Sequence, residues 1–239
     1  MNISPVNYNP QSFKHFGETE QKNPYSKKQR AVVAGMSALG VVASLAVLAK
    51  CARYSLNPTK MFKNFKGSYL YKAPYDEPEI ITMGVGSCLG GLVAGFAIDK
   101  NKENRKAKLK ETLMQIANVS VPIIFVARFA KFGKKLGQKF FEKNKNAETY
   151  RSKTPKAIAA LVGLFTGVWV SNIIANKVNE KVFHQGKGRP VKLSDYSAHL
   201  DDFCMAARQI DEKNSLIHKI TMCIPLALMI PGNEVGNKK

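Results

Sequence analysis

Three stretches of the chain each run nineteen positions without a charged residue: 31–49, 80–98 and 157–175. Each is long enough to cross the roughly 30 Å of bilayer hydrocarbon as a helix. None carries charges at helical spacing, the polar face that a helix of this length shows on a water-soluble bundle. Two weaker segments accompany them. Residues 113–127 include Gln115, Asn118 and Pro122 and stop just before Arg128. Residues 220–230 contain Pro225, and Pro231 is expected to close them. The first can span only where its polar groups are met inside a bundle; the second suits a re-entrant or interfacial helix. The pattern predicts an all-α, polytopic helical membrane protein with three to five membrane segments and one amphipathic extramembrane helix.

The polar stretches divide the remainder. Residues 1–30, rich in Asn, Pro and Ser and without periodicity, read as a disordered polar N-terminal arm. Residues 31–175 form the membrane helix region with basic loops, 176–219 an extramembrane segment with the amphipathic helix, and 220–239 a short apolar C-terminal segment and tail. A cleaved signal peptide is the rival reading of 31–49. The arm before it is long for that, and its apolar core exceeds the usual length of roughly 7–15 residues. Two matches suggest an internal duplication of the kind transporters carry: GLVAG (91–95) with GLFTG (163–167), and VPIIFVARFAKFG (121–133) with IPLALMIPGNEVG (224–236).

Charge then narrows the partners. Lys and Arg number 37 against 17 Asp and Glu, a formal net charge of +20. Such a chain is drawn to polyanions, either nucleic acid or anionic lipid, and the uncharged segments favour membrane lipids. Lys100, Lys102, Arg105, Lys106, Lys108 and Lys110 follow directly on the second segment, where cations attract anionic head groups. In VARFAKFGKKLGQKFFEKNK (126–145), Phe129, Phe132, Leu136 and Phe140 recur at three- and four-residue spacing. Lys131, Lys134, Lys135 and Lys139 occupy the other faces, which makes a basic amphipathic helix suited to the headgroup layer. The lipid-binding candidates are therefore Lys100, Lys102, Arg105, Lys106, Lys131, Lys134, Lys135 and Lys139. Orientation is not fixed, because five spans leave nearly equal numbers of Lys and Arg on the two sides. Laying 113–127 in the interface would bring both basic blocks to one cytoplasmic side.

Candidate chemistry is sparse. Gly86, Gly90, Gly91 and Gly95 crowd the second segment, and Gly163 and Gly167 lie in the fourth. An interior Gly costs a soluble helix about 1 kcal/mol relative to Ala, whereas in lipid small residues let two helices approach closely. These six are the expected helix-packing residues, serving either the chain itself or a homo-oligomer. A phosphate-binding loop is excluded, since no GxxxxGK[ST] occurs. Cys51, Cys88, Cys204 and Cys223 are scattered and read as reduced, structural thiols. Asp195, His199 and Asp202 fall at i, i+4 and i+7 of a predicted helix over 194–213 and are weak candidates for a divalent metal. A solvated polar face is the plainer account of them.

The sequence thus expects a small multi-pass protein integral to a bacterial-type plasma membrane, non-catalytic and without cofactor. It would act through helix packing and through binding anionic head groups or a partner. The alternative is a transporter or channel subunit in which Gln115, Asn118, Asn172 and Asn176 face one aqueous path. A membrane-embedded metal enzyme and a soluble nucleic-acid binder are further alternatives, the latter disfavoured by the uncharged spans.

Overall fold

The computed structural model describes residues 25–51, 77–141, 150–184 and 224–239. Of these, 92% are helical, and no strand occurs among them. Helix α1 (Lys27–Cys51) opens on a reciprocal cap. The Gln29 amide donates to Ser26 Oγ at 3.2 Å, and the Ser26 amide donates to Gln29 Oε1 at 2.9 Å. Two of the amides that a helix start leaves without partners are thereby satisfied. Helix α2 (Glu77–Ile98) places Glu77 and Glu79 in its first turn, at the positive end of its dipole. Pro78 sits in the same turn, where no amide hydrogen is required. Helix α3 (Lys102–Phe141) follows after a three-residue turn and is capped by Asn101, whose Oδ1 accepts from the Glu103 amide at 2.9 Å. Helix α4 (Tyr150–Lys181), the single turn α5 (Ile224–Ala227) and helix α6 (Met229–Asn237) complete the set.

Four helical stretches are long and apolar enough to cross a membrane: Lys27–Leu48, Glu77–Ile98, Lys102–Phe140 and Thr154–Lys181. Their most apolar windows are only 28% to 50% buried within the chain. Leu39, Val47, Val93 and Trp169 are each more than half exposed. A surface so apolar belongs against lipid. Hydroxyls on these helices bond back to their own turn, as a medium without water requires: Ser37 to Val33, Ser44 to Gly40, Thr112 to Lys108 and Thr166 to Val162. The protein is an all-helical, membrane-embedded bundle.

Helices α1 and α2 pack antiparallel, with Gly40 on Gly86 and Met36 on Gly90. Helix α3 returns along α2, bringing Val119 to Gly84 and Lys108 to Gly95, and α4 packs antiparallel on α3. Helix α6 lies against α1, α2 and α3 and runs parallel to α2. One apolar core joins Val41, Leu45, Ile80, Met83, Ile123, Ile224 and Leu228; a second, between α3 and α4, joins Val126, Ala130, Ala160, Leu164 and Val168.

The helix arrangement departs from the sequence expectations in three places. Segment 113–127 is the middle of one helix of 40 residues, about 60 Å long. The two basic blocks are therefore turns at its opposite ends, not loops, and they do not gather on one side. Pro231 does not end the C-terminal helix. It sits in the first turn of α6, where its missing amide hydrogen leaves no bond unmade. The helix then continues through the glycine-bearing sequence GNEVGN because Gly232 and Gly236 lie on α2. The suggested duplication is not mirrored in the packing either: α6 runs parallel to α2, whereas α3 runs antiparallel to α4.

Candidate functional site

The six expected packing glycines all stand where helices touch. A β-carbon built on Gly86 would overlap the Gly40 carbonyl and the Ser44 hydroxyl, and one on Gly90 would overlap the Met36 carbonyl, both on α1. One on Gly91 would overlap the Gly232 carbonyl of α6. At Gly95 it would lie 2.9 Å from the Gly236 carbonyl oxygen and 2.9 Å from the Lys108 stem. At Gly163 and Gly167 it would meet Phe125 and Pro122 of α3 at 2.7 and 2.6 Å. The two Gly-x-x-x-Gly steps of α2 thus serve different neighbours, 86/90 facing α1 and 91/95 facing α6. Both faces are filled from within the chain.

Gly95 makes room for the most buried cation of the described residues. Lys108 is 0% exposed, and its aliphatic stem lies against Gly95. Its ammonium donates to the Tyr25 hydroxyl at 2.7 Å and to the Lys238 carbonyl, and stands 3.5 Å from Asp99 Oδ2. The Tyr25 hydroxyl donates in turn to Asp99 Oδ2, which also accepts from Asn104 Nδ2 at 2.8 Å. Asp99 Oδ1 accepts from the Asn101 amide at 3.0 Å. Four chain segments meet on this node: the residues before α1, the α2–α3 turn, the first turns of α3, and the residues after α6. Burial opposes the charge on Asp99, but the Tyr25, Asn101 and Asn104 donors and Lys108 outweigh it and hold the carboxyl below the usual carboxylate range. Burial, the bond to Asp99 and its charge push the Tyr25 phenol above its ordinary value.

A second polar set adjoins the first. Lys238 Nζ stands 2.8 Å from Glu111 Oε2, while Gln115 Nε2 donates to Glu111 Oε1 at 3.0 Å and to Glu234 Oε2 at 2.7 Å. Together the two sets fasten the C-terminal helix to α3 and to the α2–α3 turn.

The expected lipid-binding residues divide. Lys100, Lys102, Lys106, Lys131, Lys134, Lys135 and Lys139 are exposed. Arg105 turns inward instead: its Nε donates to the Asp99 carbonyl at 3.0 Å and its Nη2 to the Phe96 carbonyl at 2.9 Å, with the guanidinium 5.5 Å from the Phe96 ring centroid. It caps α2 by meeting carbonyls that a helix end leaves open. Lys108, expected among head groups, is the core of the polar node.

In the distal half of α3 the face toward α4 is built mainly of small residues, with Phe129 of the aromatic stripe lying against Gly163. Val126 and Ala130 enter the α3–α4 core, and Gly133 packs on Pro155 and Ala159. Phe129 and Leu136 are half-buried, whereas Phe132 and Phe140 are exposed together with Arg128, Lys131, Lys134, Lys135 and Lys139. Small residues at i, i+4 and i+7 were the available signal, overshadowed by the aromatics at similar spacing.

The four polar residues of the transport reading fall into separate partnerships. Gln115 joins Glu111 and Glu234, Ser171 donates to Asn118 at 2.8 Å, and Asn176 donates to Asn172 at 3.0 Å. Asp195, His199 and Asp202 lie outside the described residues. No cluster of His, Cys, Asp and Glu able to hold a metal occurs among those described. Cys88 is a buried free thiol. Comparison with protein-family models, with curated proteins and with solved structures returned no match.

Proposed function

We propose that this is a non-catalytic membrane protein that binds anionic lipid head groups at the face where α3 and α4 leave the bilayer, as in a bacterial-type plasma membrane. One observation carries the reading: α3 meets α4 through Val126, Ala130 and Gly133, so Phe132, Phe140 and five cations from Arg128 to Lys139 are left facing outward. Cations attract an anionic surface at about 1 kcal/mol each. Exposed phenylalanines among them enter the acyl boundary, as the apolar face of an interfacial helix does. The buried glycine faces supply the rigid support for this surface. Those faces are occupied within the chain.

The test is lipid selectivity in reconstituted vesicles, read from spin-labelled phosphatidylglycerol against spin-labelled phosphatidylcholine. The wild type is expected to prefer the anionic lipid several-fold. The variant with Lys131, Lys134, Lys135 and Lys139 all changed to Gln is expected to lose most of that preference. An unchanged preference in this variant would overturn the reading.

A further inference from the structure

A cleft opens at the opposite end of the bundle. It lies between the start of α1 and the end of α6 and is lined by Lys27, Arg30, Ala31, Ala34, Asn233, Glu234 and Asn237. Lys27, Arg30, Ala31 and Ala34 are all exposed. On α1, Lys27, Ala31, Ala34 and Ala38 follow at i, i+4, i+7 and i+11 and so share one face. On α6 and the turn before it, Leu226, Ile230, Asn233 and Asn237 repeat the same spacing in the opposite direction. The two faces therefore match in polarity. Cations and amides stand at the mouth; alanines run below them on one side, and Ile230 and Leu226, 59% and 63% exposed, run below on the other. The apolar track continues to Val42, also exposed. From Ala31 to Val42 it measures about 16 Å, close to half of the roughly 30 Å hydrocarbon thickness. That is the depth of one leaflet.

Among the described residues the donors at the mouth have no committed acceptor. Neither Lys27 nor Arg30 forms a side-chain ion pair among the described residues. Asn233 accepts from Asn237 Nδ2 through both its carbonyl, at 2.8 Å, and its Oδ1, at 3.0 Å. Among the described residues its own amide NH2 meets no acceptor and is left to donate. The one carboxylate at the mouth, Glu234, is held from the other side by Gln115.

We infer that this cleft binds one anionic glycerophospholipid, its phosphate between Lys27 and Arg30, its glycerol region at Asn233, and one acyl chain along Ala31, Ala34 and Ala38. The inference rests on the membrane-embedded fold and is separate from the diffuse attraction assigned to the distal half of α3. The seat differs from that surface in kind, because it is a cleft with a chain-length floor and takes one molecule.

Native mass spectrometry of detergent-purified protein, titrated with phosphatidylglycerol or phosphatidylcholine, tests it. The wild type is expected to retain one phosphatidylglycerol at detergent concentrations that strip phosphatidylcholine. Lys27→Gln with Arg30→Gln should weaken retention about 30-fold, at about 1 kcal/mol for each cation. Ala34→Phe, on an exposed position, should fill the track and abolish retention while both cations remain. Failure of the wild type to retain a lipid overturns the inference. So does retention by the Ala34→Phe variant, which would make the cations an open electrostatic surface. The variant lacking Lys131, Lys134, Lys135 and Lys139 should keep the single lipid, so this inference and the selectivity reading fail independently.

Discussion

Replacing Lys108 by Met tests whether the polar node holds the bundle closed. The substitution keeps an unbranched stem against Gly95 and removes the ammonium, and with it the bonds to Tyr25 and Lys238 and the 3.5 Å pairing with Asp99. The Asp99 side chain is only 10% exposed, so its stranded charge recovers little solvation. Breaking a buried pair from one side costs roughly 3–5 kcal/mol. Asp99 keeps its Tyr25, Asn101 and Asn104 donors, which places the loss at the lower end, about 3 kcal/mol. Asp99→Asn strands the opposite charge, on a lysine with no exposure, and should cost as much or more. The double variant leaves no buried charge at the node, because both replacement side chains are neutral. It should therefore lose less than the sum of the singles, by about 2 kcal/mol or more, a coupling within the range of residues in direct contact. The assay is equilibrium unfolding in mixed detergent micelles, run on all four proteins of the cycle. Additive losses, or a neutral Lys108→Met, would refute the node as a stabilising unit.

Three further outcomes follow from the same packing. Gly91→Ala forces a methyl into the Gly232 carbonyl and should destabilise by about 1–3 kcal/mol. Gly35→Ala, at a site with nothing within 4 Å, should be neutral or stabilising by up to about 1 kcal/mol; thermal melts of the two variants side by side distinguish close packing from mere helix propensity. Ser87 is 0% exposed and its hydroxyl has no partner among the described residues, so Ser87→Ala should raise stability by about 1 kcal/mol, checked by the same melts. The depressed Asp99 carboxyl gives stability that is complete above its unfolded value, about 4, and is lost as pH falls below it. The raised Tyr25 phenol gives stability present up to about pH 10 and declining above. Melting temperature against pH should show both limbs in the wild type, the acid limb shrinking in Asp99→Asn and the alkaline limb in Tyr25→Phe.

Much of the bundle was legible in the chain. The uncharged runs at 31–49, 80–98 and 157–175 became helices because an uncharged run of that length has one low-energy form in lipid, with every backbone group bonded internally. The density of glycine in α2 marked close helix approach, since no other use of so many interior glycines offsets their cost in a helix. The start of α1 was also written locally, as Ser26 and Gln29 at capping-box spacing.

Other features depend on contacts that no local pattern contains. The charged run from Lys102 onward stays helical because α3 continues along α2 and buries Lys108 beside Gly95; from sequence, a lysine among lysines has no mark of burial. Residues 229–237, with two glycines and a proline, are weak helix formers alone, and they fold as α6 only where Gly232 and Gly236 meet α2. The division of the two glycine steps between α1 and α6, and the meeting of Tyr25, Asp99, Lys108 and Lys238, bring together residues as far apart in the chain as Tyr25 and Lys238. Hydropathy determined which segments enter the membrane, because that depends on each segment's own transfer from water. Their partners, and which charges those partners bury, were decided by tertiary packing, because that depends on the fit between surfaces the chain brings together only when folded.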